Sequence, residues 1–407
     1  MAEGLFLIGT GKAVITPPLG IPLAGFGSRD HGAESVADDL ELRVFWVDAQ
    51  NGQSEPVCII CADLVGVGEQ LVAQIRNDLA SSLGIKPDAV FVTASHTHCG
   101  PQAMENMSGV GNIDPSYIAS LRQCCLQAAT TAKQNAQPAV LKAGRGVLTG
   151  GYSINRRLFI NGQMTMAPNP AGIRDDEVIT LAFHHAQSDA VLAVLFNFAC
   201  HASTLSGYAI SGDYPAAARR YIEKALPGAA AGFLQGCCGD IRSNCTFVGG
   251  KSFRKGQIQD LQIFGAALGG RVVDLVQNAS DSFAPAIFSR TDSARLPLEK
   301  EGEYAQLPLQ RIDLADKVSL VGLAGEPVTE YGYYIKGLRP GAYTIPVGYA
   351  NGVIAYIPSA RMFAEGGYET HDSPKYFGLP SPFHPSIQAV IQDGIRQLML
   401  GNGVQHR

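Results

Sequence analysis

Two histidines stand one residue apart in Ser95-His96-Thr97-His98-Cys99-Gly100-Pro101, just after the strand-like run Ala89-Val90-Phe91-Val92-Thr93 and just before a Gly-Pro breaker. In extended backbone, residues i and i+2 project to the same side, so His96 and His98 can enter one cavity while Thr97 turns away. Neutral imidazole ligates metals, switches charge or simply packs. On this stretch alone a metal site and a packing role are equally good readings.

The same placement recurs further along the chain. The nearly unbroken apolar run Val191 to Ala199 ends in Cys200-His201, and Val318 to Ala324 runs into Gly325-Glu326. His96, His98, His201 and Glu326 thus each sit just past the end of an apolar strand, where α/β folds assemble their sites. Two imidazoles and a carboxylate, with a position left for water, form the donor set of a catalytic zinc site, although they also accept other divalent ions. Cys99 and Cys200 neighbour these histidines, so they point away from the site and read as packing. Arg156, in Ser153-Ile154-Asn155-Arg156-Arg157, and Asp213, in Ile210-Ser211-Gly212-Asp213-Tyr214-Pro215, read as loop residues of solvated turns unless a site claims them.

The elements that position these residues alternate between sheet and helix. A short strand broken by prolines is expected from Gly11 to Gly20, followed by the glycine-loosened loop Ala24 to Arg29, which can approach a site closely. Leu40 to Asp48 and Val57 to Leu64 make a hairpin around Asn51-Gly52-Gln53-Ser54. Helical spacing marks Glu69 to Leu83, Asp114-Pro115 to about Lys133, Pro215 to Ala225, Gln259 to Val276, Thr329 to Lys336 and Pro385 to Leu398. Strands are expected at Val140–Val147, Val178–Phe183, Ala190–Ala199, Ala230–Leu234, Pro285–Arg295, Gln306–Ile312 and Val318–Ala324, with one more from Val347 to Ile357. The pattern predicts an α/β fold of mixed sheets flanked by helices in a layered sandwich, with its site in loops at strand ends. No repeat or linker divides residues 1–407, which are expected to form a single domain.

Composition narrows the function classes. The 407 residues are 46% hydrophobic and 16% charged with a net charge of −5, interspersed in sign, so there is no basic face for nucleic acid or anionic lipid. The opening Met1 to Gly11 lacks a charged n-region, and no stretch reaches membrane-spanning length, so a soluble cytoplasmic protein is expected. A homo-oligomer is compatible with all of this. Nine cysteines in apolar or glycine-rich surroundings read as buried free thiols; Cys58 and Cys61 lie in one strand and face opposite ways.

Taken together, Thr93 to Pro101, Asn155-Arg156, Asn197 to His201, Ile210 to Asp213, Gly239 to Asn244, Gly325-Glu326 and the region Gly348 to Tyr368 resemble the N-terminal catalytic domain of the neutral (alkaline, non-lysosomal) ceramidase family, in the family's order. The resemblance implies one zinc ion held by His96, His201, Glu326 and Tyr356, with Tyr349 a near competitor for the last place. It implies hydrolysis of an N-acyl bond in a small or lipid-like substrate, with His98 and Arg156 along the substrate amide. Where the family carries a catalytic serine this sequence has Arg242, followed by Ser243, and both are counted among the catalytic candidates. Arg242 is expected to meet an acidic group on a smaller substrate. Asp213, Asp240 and Arg29 are expected to contact substrate. The family's C-terminal β-sandwich domain is not expected here. The same scaffold also suits a zinc-dependent ester or lactone hydrolase, an amide- or ring-forming enzyme, or a non-catalytic protein that binds acyl compounds.

Overall fold

Strands with no polar face dominate the chain, and the sheets they form are covered on both sides. The computed structural model describes residues 4–50, 54–109, 111–250 and 252–400. A nine-stranded sheet runs in the order Ala230–Gln235, Val191–Phe198, Glu177–His185, Gln137–Val147, Phe6–Val14, Glu41–Ala49, Val57–Ala62 and Val90–Ala94, with Asp281–Phe283 paired to Gln137–Val147. Its middle is antiparallel, but the pairs at its two edges are parallel. A second, four-stranded sheet holds Phe288–Pro297, Tyr304–Ala315, Val318–Leu323 and Tyr343–Val347, its last two strands again parallel.

Parallel neighbours need a crossover, and here each of these three pairs is joined by a helix. Glu69–Leu83 links Val57–Ala62 to Val90–Ala94, Asp213–Ala225 links Val191–Phe198 to Ala230–Gln235, and Thr329–Gly337 links Val318–Leu323 to Tyr343–Val347. The first of these buries Leu71, Val72, Ile75 and Leu79 on one face and stops at Gly84, whose φ of 70° only glycine adopts freely. Helix Pro115–Gln134 is capped by Asp114, whose carboxylate accepts from the Ser116 and Tyr117 amides. It lies so close to strand Phe6–Val14 that a Cβ on Gly9 or Gly11 would strike the carbonyl oxygens of Ala132 and Ala128.

The two sheets are tied together near the strand exits. Asn197 donates to Leu234 O in its own sheet and to Pro346 O in the other, and Thr93 bridges Ala350. The exits of all three parallel pairs therefore open into one region. Among the described residues no helix is long and apolar enough to cross a membrane.

The mixed sheets and flanking helices agree with the expected α/β class. Several elements differ from the expectations. The first strand is Phe6–Val14, upstream of the prolines, because it pairs along its whole length with Glu41–Ala49. The turn of the next hairpin falls at residues 51–53, outside the described residues. Residues 348–355 are a loop and not a strand: Tyr349, Asn351 and Gly352 all have positive φ, which breaks any ladder. Arg156 is not in a loop. It lies in strand Ser153–Ile160, which pairs with Gln163–Asn169 and Ile241–Ser243 in a small three-stranded sheet. Its run of buried polar residues, Asn155, Arg156 and Arg157, hides the alternation by which strands are read. Asp213 is likewise no solvated turn; it is fully buried and starts a helix at φ 55°.

Candidate metal and substrate site

Each candidate ligand leaves one strand of a parallel pair, and the exit loop of the neighbouring strand holds it in orientation. His96 follows Val90–Ala94, and its Nδ1 lies 2.7 Å from the carbonyl of Val65, beyond the neighbouring Val57–Ala62. His201 follows Val191–Phe198, and its Nδ1 lies 2.8 Å from the carbonyl of Cys238, beyond Ala230–Gln235. Glu326 follows Val318–Leu323, and the hydroxyl of Tyr349, beyond Tyr343–Val347, donates to its Oε2 at 3.2 Å. Nδ1–H donation to a carbonyl fixes each imidazole with its Nε2 lone pair facing inward, the usual outer support of a metal-bound histidine.

Those inward atoms converge. Glu326 Oε2 lies 3.3 Å from His96 Nε2 and 3.4 Å from His201 Nε2, and the Tyr356 hydroxyl lies 3.3 Å from His201 Nε2. Ligands at ~2.0–2.1 Å from a tetrahedral ion stand about 3.3 Å apart, so the donor set fits a metal. His98 Nε2 is 3.1 Å from His96 Nε2, and one donor atom from each of His96, His98 and His201 falls within 4.8 Å of the others. His98 is thus within ligand range as well as beside the substrate space. Tyr349 sits behind Glu326, its ring stacked on His96 at 4.0 Å and its hydroxyl also 3.3 Å from Cys238 Sγ.

Electrostatics keep the donors in their metal-binding forms. Burial lowers His201, and Arg156 and His96 add to it, bringing it to about 3. Burial, then His96 and His201, holds His98 well below the ordinary histidine value. Burial alone would raise Glu326, but the facing His96 and His201 outweigh it and hold the carboxyl well below the usual range. His98 and His201 are neutral and Glu326 charged at neutral pH, as ligation requires. His96 adopts φ 62°, a left-handed conformation uncommon outside glycine and a sign of backbone strain at a site.

The centre opens into a cavity of about 280 Å³ lined by the polar Arg156, Arg242 and His98 and by the apolar or aromatic Phe26, Met107, Met166, Tyr368 and Tyr376, with Phe26 packed on His98 and Tyr368 beneath Arg156. Arg156 lies with Nη1 3.2 Å from His201 Nε2 and Nε 2.9 Å from Glu369 Oε1. Gly25, at φ 94°, lies flat against His98, where a Cβ would come within 2.6 Å of the ring. Arg29 is spent on its own loop, bonding Ala24 O, Gly207 O and Cys99 Sγ. Ser243 is buried in the strand beside Arg242 and does not line the cavity.

A family model described as neutral/alkaline non-lysosomal ceramidase, N-terminal, matches residues 6–259, more than half of the 407. The chain belongs to the neutral/alkaline non-lysosomal ceramidase family. Two solved structures share its fold. A neutral ceramidase from Pseudomonas aeruginosa matches with TM-score 0.81 at 17% identity over 99% of this chain and 76% of that one. A ceramidase complexed with C2 matches with TM-score 0.82 at 17% identity over 99% and 77%. No curated protein sequence matches. Membership supports a hydrolase acting on amide bonds, and the buried three-histidine group is compatible with a metal ion.

In this ceramidase-family chain, Asp213 and Asp240 stand behind the cavity and not on it. Asp213 accepts from the amides of Leu205 and Tyr214, pinning the loop after His201. Asp240 accepts from Thr329 N and Oγ1 and from Asn155 Nδ2, joining the strand of Arg156 to the segment after Glu326. Burial raises both carboxyls to about 6. Two residues with no sequence signal complete the site. The Gln235 amide donates to Ser95 O and Cys200 O, both at 2.9 Å, tying together the loops of His96 and His201. Glu369 lies between the buried Arg156 and Arg157 and bonds both. Gln235 ends a strand and Glu369 sits in the helical turn Tyr368–Asp372, and only the tertiary packing brings either to the site.

Proposed function

We propose that this chain is a zinc-dependent amidohydrolase that cleaves the N-acyl bond of a small or lipid-like substrate with water. The observation that carries the reading is the convergence of His96 Nε2, His201 Nε2 and Glu326 Oε2, at 3.3 and 3.4 Å, with each imidazole tied at Nδ1 to a backbone carbonyl. With Tyr356, these side chains supply a ligand set suited to zinc. Zinc bound there supplies Lewis acidity, lowering the pKa of water towards ~7 and polarising the scissile carbonyl.

The chain's own residues do the rest. Arg156, held by Glu369, offers its guanidinium to the carbonyl oxygen as charge grows on it. His98 is buried, and its Nδ1 has no hydrogen-bond partner among the described residues, so it is free to carry a proton to the leaving nitrogen. The aromatic and methionine wall receives the acyl chain and excludes water from it. Water adds to the acyl carbon, the C–N bond breaks, and the nitrogen leaves protonated.

Elemental analysis of the purified protein beside Glu326→Ala tests the reading. About one zinc per chain, lost in the variant together with release of fatty acid from N-acyl substrates, is the expected result. A protein that takes up no metal when zinc is supplied, yet remains folded, sinks it.

A further inference from the structure

Among the described residues every buried arginine meets a carboxylate, whereas the half-buried Arg242 and Arg271 each keep a buried, unpartnered Nε, and of these two only Arg242 lines the cavity. Arg43, Arg156, Arg157, Arg219 and Arg311 each face a carboxylate: Glu41, Glu369, Glu369, Asp63 and Asp313 respectively. A guanidinium removed from water needs such a partner, because an unpaired buried charge is costly. Arg242 is largely enclosed and lines the cavity, yet among the described residues no carboxylate or hydrogen-bond acceptor meets it. Its Nε is buried without a partner, and its guanidinium rests 4.7 Å from the centre of the Phe253 ring. Burial, then the nearby charge of Arg156, lowers its pKa to about 10, so it still carries its charge at neutral pH.

Its position relative to the metal centre follows from register. Arg242 pairs with Ile154 across an antiparallel ladder, and Arg156, two residues further along, shares the cavity face as its diagonal neighbour. Diagonal pairs stand ~7–8 Å apart, and Arg156 itself touches His201. Both arginines line the one cavity, so a negative group bound by Arg242 would belong to the same small molecule as an amide held beside Arg156. The aromatic and methionine lining of the same cavity, Phe26, Met107, Met166, Tyr368 and Tyr376, is apolar enough for an acyl chain.

From this we infer that the substrate is an N-acyl amino acid, whose free carboxylate is received by Arg242 while its acyl chain lies on the aromatic wall. The inference rests on the proposed amide hydrolysis and names its substrate class. In balanced form, RCO–NH–CHR′–COO⁻ and water give RCOO⁻ and ⁺H₃N–CHR′–COO⁻. The carboxylate is unchanged by the reaction and serves only to position the amide. An arginine suits this task because its fork binds a carboxylate through two parallel N–H···O bonds.

The test compares N-lauroylglycine with the neutral N-lauroylglycinamide, reading laurate release by zinc-loaded wild type, Arg242→Gln and Arg242→Lys. Since Arg242 makes no hydrogen bond among the described residues, its replacement orphans none of them, and thermal melts check that the variants fold. The wild type is expected to favour the acid by about 10- to 100-fold in kcat/KM, the effect of charge-assisted hydrogen bonds. That preference collapses in Arg242→Gln and survives in part in Arg242→Lys. Equal rates on acid and amide in the wild type, or a preference that persists in Arg242→Gln, overturn the substrate class and leave amide hydrolysis standing. If the wild type cleaves neither compound, the hydrolase reading fails, and calorimetry with N-lauroylglycine decides the binding claim. Weaker binding by about tenfold or more in Arg242→Gln upholds it; equal or absent binding overturns it.

Discussion

His201 Nδ1 lies 2.8 Å from the carbonyl oxygen of Cys238, and the two residues leave the ends of adjacent parallel strands. The Val65 carbonyl serves His96 in the same way, and the Tyr349 hydroxyl serves Glu326. Ligand and support enter from two strands whose spacing the sheet fixes, so the centre is aimed by backbone and not by flexible side chains.

The amide of Gln235 is the cross-brace of this arrangement, since it alone donates to the backbone of both histidine loops. Gln235→Leu keeps the volume and removes both bonds. Zinc affinity, measured by chelator competition, is expected to fall by about 10- to 100-fold, as for other outer supports of metal ligands. An unchanged affinity would mean that the loops hold themselves.

Two tyrosines face Glu326 and His201, but only Tyr356 lines the cavity. Tyr356→Phe is therefore expected to weaken zinc binding more than Tyr349→Phe, which loses the hydrogen bond to Glu326, worth about 1 kcal/mol, and the weaker one with Cys238 Sγ, but keeps the ring stacked on His96. The reverse order in a side-by-side titration would exchange the roles of the two.

Glu369 balances two buried guanidinium groups at once. Replacing it with Gln leaves Arg156 without a carboxylate partner, and Arg157 with Glu365 alone, among the described residues. Loss of a buried partner costs about 3–5 kcal/mol, and the measured unfolding free energy is expected to fall by that order. Turnover should drop as well, because Arg156 is released from its aim. A variant as stable and active as the parent would show that the pair is dispensable.

Asp240 gives a pH signature of defined sign. Its carboxyl is raised from 3.8 to about 6, chiefly by burial. Below the unfolded value its full contribution to stability is present, and that contribution is lost as pH rises through about 6. Asp240→Asn does not titrate, so relative to wild type it should gain on the order of 2 kcal/mol between roughly pH 4 and pH 7. Denaturant melts across that range read the difference directly, and a difference that does not change with pH refutes it.

How much of this was legible beforehand varies by residue. The ends of apolar strands gave away His96, His98, His201 and Glu326, because strand periodicity and a following breaker are local signals. Tyr356 came only through family resemblance. Arg156 reads as a loop residue because its strand buries Asn155, Arg156 and Arg157 in succession, and buried charges with partners far along the chain mimic a polar turn. Asp213 misled for the same reason: its acceptors are filled by the amides of Leu205 and Tyr214, and that pairing is invisible until the loop closes.

The sequence by itself therefore determined the alternation of strands and helices and the placement of the candidate ligands at strand exits, all of which depend on residues a few positions apart. The tertiary structure decided what those ligands lean on and which charges are left unmatched. The Val65 and Cys238 carbonyls, the Gln235 brace and the unpaired Arg242 depend on which strands lie side by side, and the Glu369 counter-charge on the helical turn packed against the strand of Arg156. Hydrogen bonding and charge pairing across a sheet are fixed by spatial neighbours, and the order of residues along the chain does not specify them.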